Sequence, residues 1–206
     1  NALNSHVQST ALLENLVKKS SGTPKERDLL IRLLESEIQV DRLSKQKAMI
    51  ESKGASAAAN PEVQKKIEFY STRFITVYPK DEKIYRVYSM RAKAREELGK
   101  LDGVIQDGES VLVTAPKNAE ERLKASVKLG ELYRSKGNLA RSEVVLTEVL
   151  KDSKGEWTSF ILESLLQTQN QGRAYSKALG TLNRLIQVQK TVPGAALESL
   201  YVDRKS

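Results

Sequence analysis

The chain has 206 residues, of which 39% are hydrophobic and 29% charged, with no cysteine, a single histidine and a formal net charge of +8. That length suits one large domain or a short array of repeats with a continuous core, and the low Pro and Gly content points to a folded, helix-rich chain. The absence of cysteine excludes disulfides, thiolate metal sites and cysteine nucleophiles. The lone His6 excludes a catalytic triad, a histidine metal site and a histidine base.

In chain order, residues 3–19 carry Leu12, Leu13, Leu16 and Val17, a short helix that ends at Ser20-Ser21-Gly22. Thr23-Pro24-Lys25-Glu26 then combines an N-cap Thr, Pro at the first helical position and Glu three residues after the cap, the pattern of a capping box. The helix it starts runs to Gly54, with Leu29, Leu33, Ser36, Val40, Leu43, Lys47 and Ile50 at alternating spacings of four and three. It spans about 30 residues, or ~45 Å at 1.5 Å per residue. Leu30, Leu34 and Ile38 widen the apolar face of its first half, whereas Ser44-Lys45-Gln46-Lys47 leaves the second half open to solvent or to another chain. The small residues 54–60 read as a linker, and Asn60-Pro61 restarts a helix.

From Pro61 onward, apolar stripes of fourteen to twenty residues alternate with short breaks holding Pro, Gly or Asn. The stripes open with Val63, Ile67, Tyr70, Phe74 and Val77, and end with Leu197, Leu200 and Tyr201. Each is too narrow to fold alone, and breaks of two to five residues force neighbouring helices antiparallel. Asn118-Ala119-Glu120-Glu121 predicts a further Asn-capped helix start. Gly99, Gly137 and Gly172 end first helices at intervals of 38 and 35 residues, and Pro79 and Pro116 end second helices 37 apart. No apolar run approaches the ~18 residues of a membrane span.

Residues 123–150 resemble a tetratricopeptide repeat: Leu129, Gly130 and Tyr133 in Leu-Gly-x-x-Tyr, the turn Gly137-Asn138, a small Ser142 at the hairpin contact, and the apolar Leu146 and Val149. Residues 85–116 match more loosely through Ala92, Gly99 and Pro116, with Gly108 where the family has an aromatic. In 156–193 Ala178 stands one residue late after Gly172. The Phe-x-x-Val-Tyr-Pro ending at Phe74–Pro79 is similar to that of envelope-type bacterial repeat proteins. The resemblance implies an all-α fold: a right-handed α-solenoid of antiparallel helix hairpins over residues 59–206 with a C-terminal capping helix, preceded by an N-terminal helical extension over 1–58 that contains the long helix. Gly130, Ala92 and Ser142 are expected to let hairpin backbones approach, and Tyr133, Leu146 and Trp157 to fill the space between hairpins.

The resemblance implies a non-catalytic scaffold that binds a protein or peptide segment in a concave groove. The expected groove residues are Arg86, Ser89 and Lys93 on one first helix and Lys124, Val127, Lys128, Glu131 and Arg134 on the next, with the basic side chains suited to an acidic partner. No enzyme activity, cofactor or metal is expected, because Glu96-Glu97 and Glu120-Glu121 fit solvated helix faces. Phe69, Tyr70, Phe74, Tyr78, Tyr85 and Tyr88 read as core, with Tyr78 and Tyr85 the best exposed. Two alternatives remain: a structural or oligomerisation module of an envelope assembly acting through the long N-terminal helix, and nucleic-acid binding through a basic surface. The second is not expected, because the positive excess is diffuse: 9 basic and 7 acidic residues in 1–60, 10 and 9 in 61–116, 15 and 10 in 117–206. The periplasm or cell envelope is expected over the cytoplasm.

Overall fold

The computed structural model describes residues 2–51 and 59–191. All regular structure among them is helical: α1 (Ala2–Lys19), α2 (Lys25–Glu51), α3 (Pro61–Val77), α4 (Ile84–Glu97), α5 (Leu101–Thr114), α6 (Glu120–Ser135), α7 (Leu139–Leu150), α8 (Glu156–Gln171) and α9 (Tyr175–Thr191). The chain divides after Asp107, within α5, into two compact units. The expected capping helix with Leu197, Leu200 and Tyr201, and most of the expected linker, lie outside the described residues.

In the first unit α1 packs on α2, α2 on α3 and α3 on α4. The core includes Val17, Leu30, Leu33, Leu34, Phe74 and Val87, all nearly or wholly buried. Each such side chain contributes ~1.5–3 kcal/mol relative to exposure. The broad face of α2 is buried in its first half, while Met49 and Ile50 at its end are exposed. Its start departs from the capping box: the Thr23 hydroxyl donates to the Ser20 carbonyl, and the Glu26 carboxylate reaches back to the Gly22 N–H at 2.7 Å. Glu26 is only 1% exposed because Arg73 of α3 also holds it, Nε to Oε1 at 2.7 Å. Burial alone would raise its carboxyl, yet the Gly22 N–H and the Arg73 guanidinium keep it below the usual carboxylate range.

Two further carboxylates tie this unit together. Asp81 pairs with Arg27, and Asp107, 1% exposed, receives Arg91 Nη2 at 2.6 Å and Arg95 Nη1 at 3.0 Å. The small contact residue is Ala94 rather than the expected Ala92, which is only half-buried; the packed face of α4 runs through Ile84, Val87 and Ala94. Among the clustered aromatics Tyr70 and Phe74 are core, as expected. The exposed ring, however, is Phe69, set edge-on to Tyr70 at 5.1 Å, while Tyr78 leans on Phe74.

In the second unit α6 packs on α7, α7 on α8 and α8 on α9, and α6 also touches α8, so alternate helices meet as they do in stacked hairpins. The expected close approach at Gly130 is present. A Cβ there would meet Leu146 Cδ1 and Cδ2 at 2.9 Å, and the Ser142 hydroxyl donates to the Gly130 carbonyl at 2.8 Å. Gly108, in place of an aromatic, does the same for Leu129, whose Cδ2 would stand 3.0 Å from a Cβ. Two local expectations are corrected. The cap of α6 is Ala119, with no side-chain bond, not Asn118; the first-turn charges of Glu120 and Glu121 favour this end instead. The left-handed residue after α8 is Arg173 (φ 56°), not Gly172, which explains why Ala178 stands one residue late: it keeps the five-residue offset that separates Gly137 from Ser142.

Candidate functional site

Helix α6 buries Leu123, Ser126, Leu129 and Tyr133, which leaves Glu120, Lys124, Val127 and Glu131 on its opposite face at spacings of four, three and four. Helix α8 buries Ile161, Leu162 and Leu165 and turns Trp157, Phe160, Glu163 and Gln167 the other way. The two outward faces border one open groove of about 460 Å³. Its apolar floor is Val127 with the Trp157–Phe160 pair, ring centroids 5.5 Å apart; both rings are half-buried, and Trp157 also leans on the core beneath. Trp157 is the only tryptophan in the chain.

Around this floor stand Glu120, Glu131, Glu156 and Glu163 against one cation, Lys124. Lys124 Nζ lies 2.8 Å from Glu120, one helical turn away, an exposed pair of small energetic weight. Lys128 Nζ is 4.0 Å from Glu131 Oε2, and Glu156 has no ion-pair partner among the described residues. Ser164 also lines the groove; its Oγ is buried without a hydrogen-bond partner, while its carbonyl accepts from Thr168 Oγ1 at 2.9 Å and from Arg134 Nη1 at 3.3 Å. Behind the groove the Ser142 hydroxyl, already on the Gly130 carbonyl of α6, lies 2.8 Å from Thr168 Oγ1 of α8.

The expected site residues therefore separate. Lys124, Val127 and Glu131 line the groove; Lys128 stands beside it, and Arg134 ties α6 to α8. Arg86, Ser89 and Lys93 lie on α4 in the first unit. There Arg86 covers the Tyr85 ring at 5.8 Å and borders a cleft of about 50 Å³ with Ile31, Leu34 and Val87, Ser89 is half-buried, and Lys93 is exposed. The α8 wall was missed. In sequence Trp157 reads as inter-hairpin packing, and the off-stripe positions around Ile161 and Leu165 carry no basic residue.

Among the described residues no group of three His, Cys, Asp or Glu could hold a metal ion, and no helix is long and apolar enough to cross a membrane. No protein-family profile matches the chain, and no curated protein matches it in sequence. Solved structures do match. A tetratricopeptide repeat protein from Parabacteroides merdae shares 17% identity at a TM-score of 0.59, over 91% of this chain and 62% of that one. BtubC from P. vanneervenii shares 13% at 0.61, over 94% and 76%. A putative kinesin light chain of Podosopora anserina, with nearly identical TPR-like repeats, shares 14% at 0.55, over 90% and 88%. This chain thus spans 62% of the length of the Parabacteroides chain. The likeness shows the fold: an all-α, tetratricopeptide-like helical-repeat structure.

Proposed function

We propose that this chain is a protein-interaction scaffold and that the groove between α6 and α8 takes an extended segment of a partner protein. The observation that carries this reading is the groove itself: a preformed concavity with an aromatic floor and a polar rim, on a helical-repeat fold that supports protein binding in general. An aromatic pair that is half open supplies the apolar contact area an extended chain needs, and the rim supplies orientation. Lys124, Val127 and Glu131 form one wall in this reading, while Lys128 and Arg134 support it from beside and behind. Arg86, Ser89 and Lys93 would belong to a separate contact face on the first unit.

The test uses the single tryptophan. Peptides selected from a displayed library against the full chain are titrated while Trp157 emission is followed. A ligand of this groove shifts that emission and loses affinity when Phe160 is changed to Ser. Peptides that bind tightly yet leave Trp157 emission unmoved would place the binding surface elsewhere. A second reading, assembly through the long N-terminal helix, is favoured by the exposed Met49 and Ile50 and by a cleft of about 270 Å³ lined by Leu3, Leu43 and Ile50. A mass in solution that rises with concentration supports it.

A further inference from the structure

Helix α9 buries Ala178, Thr181 and Leu185, yet it carries a second apolar line, Tyr175, Leu179, Leu182 and Ile186, at spacings of four, three and four, and all four are exposed. Several large apolar side chains in one line on a folded surface mark an interaction site. The repeat within the second unit identifies what such a line meets. Gly137, the left-handed residue before α7, stands 36 residues ahead of Arg173, the left-handed residue before α9. At that offset the stripe corresponds to Leu139, Glu143, Leu146 and Leu150 of α7, and each of these meets α8. Leu139 Cδ1 stands 3.4 Å from where a Cβ on Gly172 would lie, and Glu143 Oε1 accepts from Gln169 Nε2 at 3.4 Å. Leu146 and Leu150, 0% and 6% exposed, share a core cluster with Ile161, Leu162 and Leu165. Their counterparts Leu182 and Ile186 are 38% and 40% exposed, and α9 is the last described helix.

We infer that this stripe is the docking face for the chain's own segment 192–206, laid on α9 as a helix in the way that α8 lies on α7. The sequence after α9 supplies the match. Leu197-Glu198-Ser199-Leu200 repeats Leu162-Glu163-Ser164-Leu165 of α8 at a distance of 35 residues, the interval that also separates Gly137 from Gly172. In α8 the two leucines of that tetrapeptide are buried in the cluster that holds Leu146 and Leu150. Pro193-Gly194 stands between, a pair that ends a helix and lets the chain reverse. The charges agree. α9 carries Lys177, Arg184 and Lys190 and no carboxylate, so two copies of α9 laid together would bring only like charges into contact; residues 192–203 carry Glu198 and Asp203 and no basic side chain. Lys177 is held by Glu143 at 2.9 Å, but Arg184 and Lys190 have no ion-pair partner among the described residues. The docked segment closes the apolar end of the second unit, as a terminal element of a helical stack must.

The test exploits the absence of cysteine. In the full chain Ile186→Cys is combined in turn with Leu197→Cys, Leu200→Cys and Tyr201→Cys, and each pair is oxidised mildly at low protein concentration. A disulfide needs Cα atoms within roughly 7 Å, so a bond inside the monomer, read by non-reducing gel and intact mass, is expected for at least one pair. The same three partners are combined with Arg184→Cys, two residues from both Leu182 and Ile186 and so on the opposite side of the helix; these pairs are expected to give none. Bonds formed equally from both positions, or no bond from either, overturn the docking. Bonds found only between two chains overturn it as well and assign the stripe to a second copy. Should the paired variants lose helix content by circular dichroism, hydrogen exchange decides: α9 amides are expected to exchange several-fold faster in Leu197→Asp with Leu200→Asp than in the unaltered chain, and equal rates overturn the inference.

Discussion

In the first unit, helices are tied by carboxylates withdrawn from water: Glu26 to Arg73, Asp81 to Arg27, Asp107 to Arg91 and Arg95. In the second, α6, α7 and α8 are tied by a glycine that admits a leucine and by hydroxyls: Gly130 against Leu146, Ser142 on Gly130 and Thr168, and, between α8 and α9, Thr181 on Gln169 at 2.8 Å. Similar helical pairs are therefore held by two chemistries with different weaknesses. A buried ion pair fails when one partner is lost or neutralised; a close backbone approach fails when volume is added.

The comparison breaks most visibly at Asp107. Asp107→Ala leaves the largely buried Arg91 without its carboxylate and Arg95 with Glu68 alone, and is expected to cost about 3–5 kcal/mol in chemical denaturation. A loss under 1 kcal/mol would show that the arginines re-pair freely. Next comes Gly130→Ala. Overpacking against the fully buried Leu146 costs ~1–3 kcal/mol, partly offset by the ~1 kcal/mol gain of Ala over Gly in a helix. A net loss, relieved when Leu146 is also shortened to Val, is expected; a net gain would mean that the helices simply separate. The smallest effect is at Arg173, whose left-handed backbone costs ~1–2 kcal/mol in a non-glycine residue. Arg173→Gly is expected to raise the melting temperature slightly.

Acid sharpens the contrast. Glu26, Glu68 and Asp81 all sit below the usual carboxylate range: burial opposes this in each case, and the Gly22 N–H with Arg73, Lys100 with Arg95, and Arg27 respectively overcome it. A depressed folded value means stability that is complete above the unfolded value, about 4 for these groups, and is lost as pH falls through the folded one. Glu37 runs the other way. Burial raises it, Lys66 at 3.5 Å opposes only in part, and Glu14 adds to the rise, so its ionisation weakens the fold as pH climbs. Among its described residues the second unit has one such depressed carboxylate, Glu109, held low by the Tyr133 hydroxyl and Arg141, against Glu26, Glu68 and Asp81 in the first, so amide exchange in the first unit is expected to accelerate below pH 4 before it does in the second. Glu37→Gln should stabilise at neutral pH and do nothing near pH 3.

The helices were legible because Pro61, Gly99 and Gly137 punctuate them and because their stripes keep helical spacing; Gly99 and Gly137 indeed take the left-handed backbone, φ 71° and 74°. What escaped is what spacing cannot encode. Glu26 looked like a local cap, and its partner Arg73 lies 47 residues away. Arg173 takes the left-handed place while Gly172, at φ −78°, keeps a backbone open to any residue, so the glycine marked the turn one residue early. Half of the groove was hidden for a related reason: Lys124, Val127 and Glu131 follow from the stripe of α6, but the facing side chains belong to α8, which becomes the second wall only once α7 has set the two helices side by side.

That placement has a consequence for recognition. A single hydroxyl, Ser142, spans from the backbone of α6 to Thr168 of α8 and so works as a spacer at the rear of the cleft. The two walls are set when the protein folds, so in the proposed function docking would be spared the entropic penalty of assembling them. If the groove binds as proposed, shortening that strut would alter how long a segment resides without removing one atom that touches it.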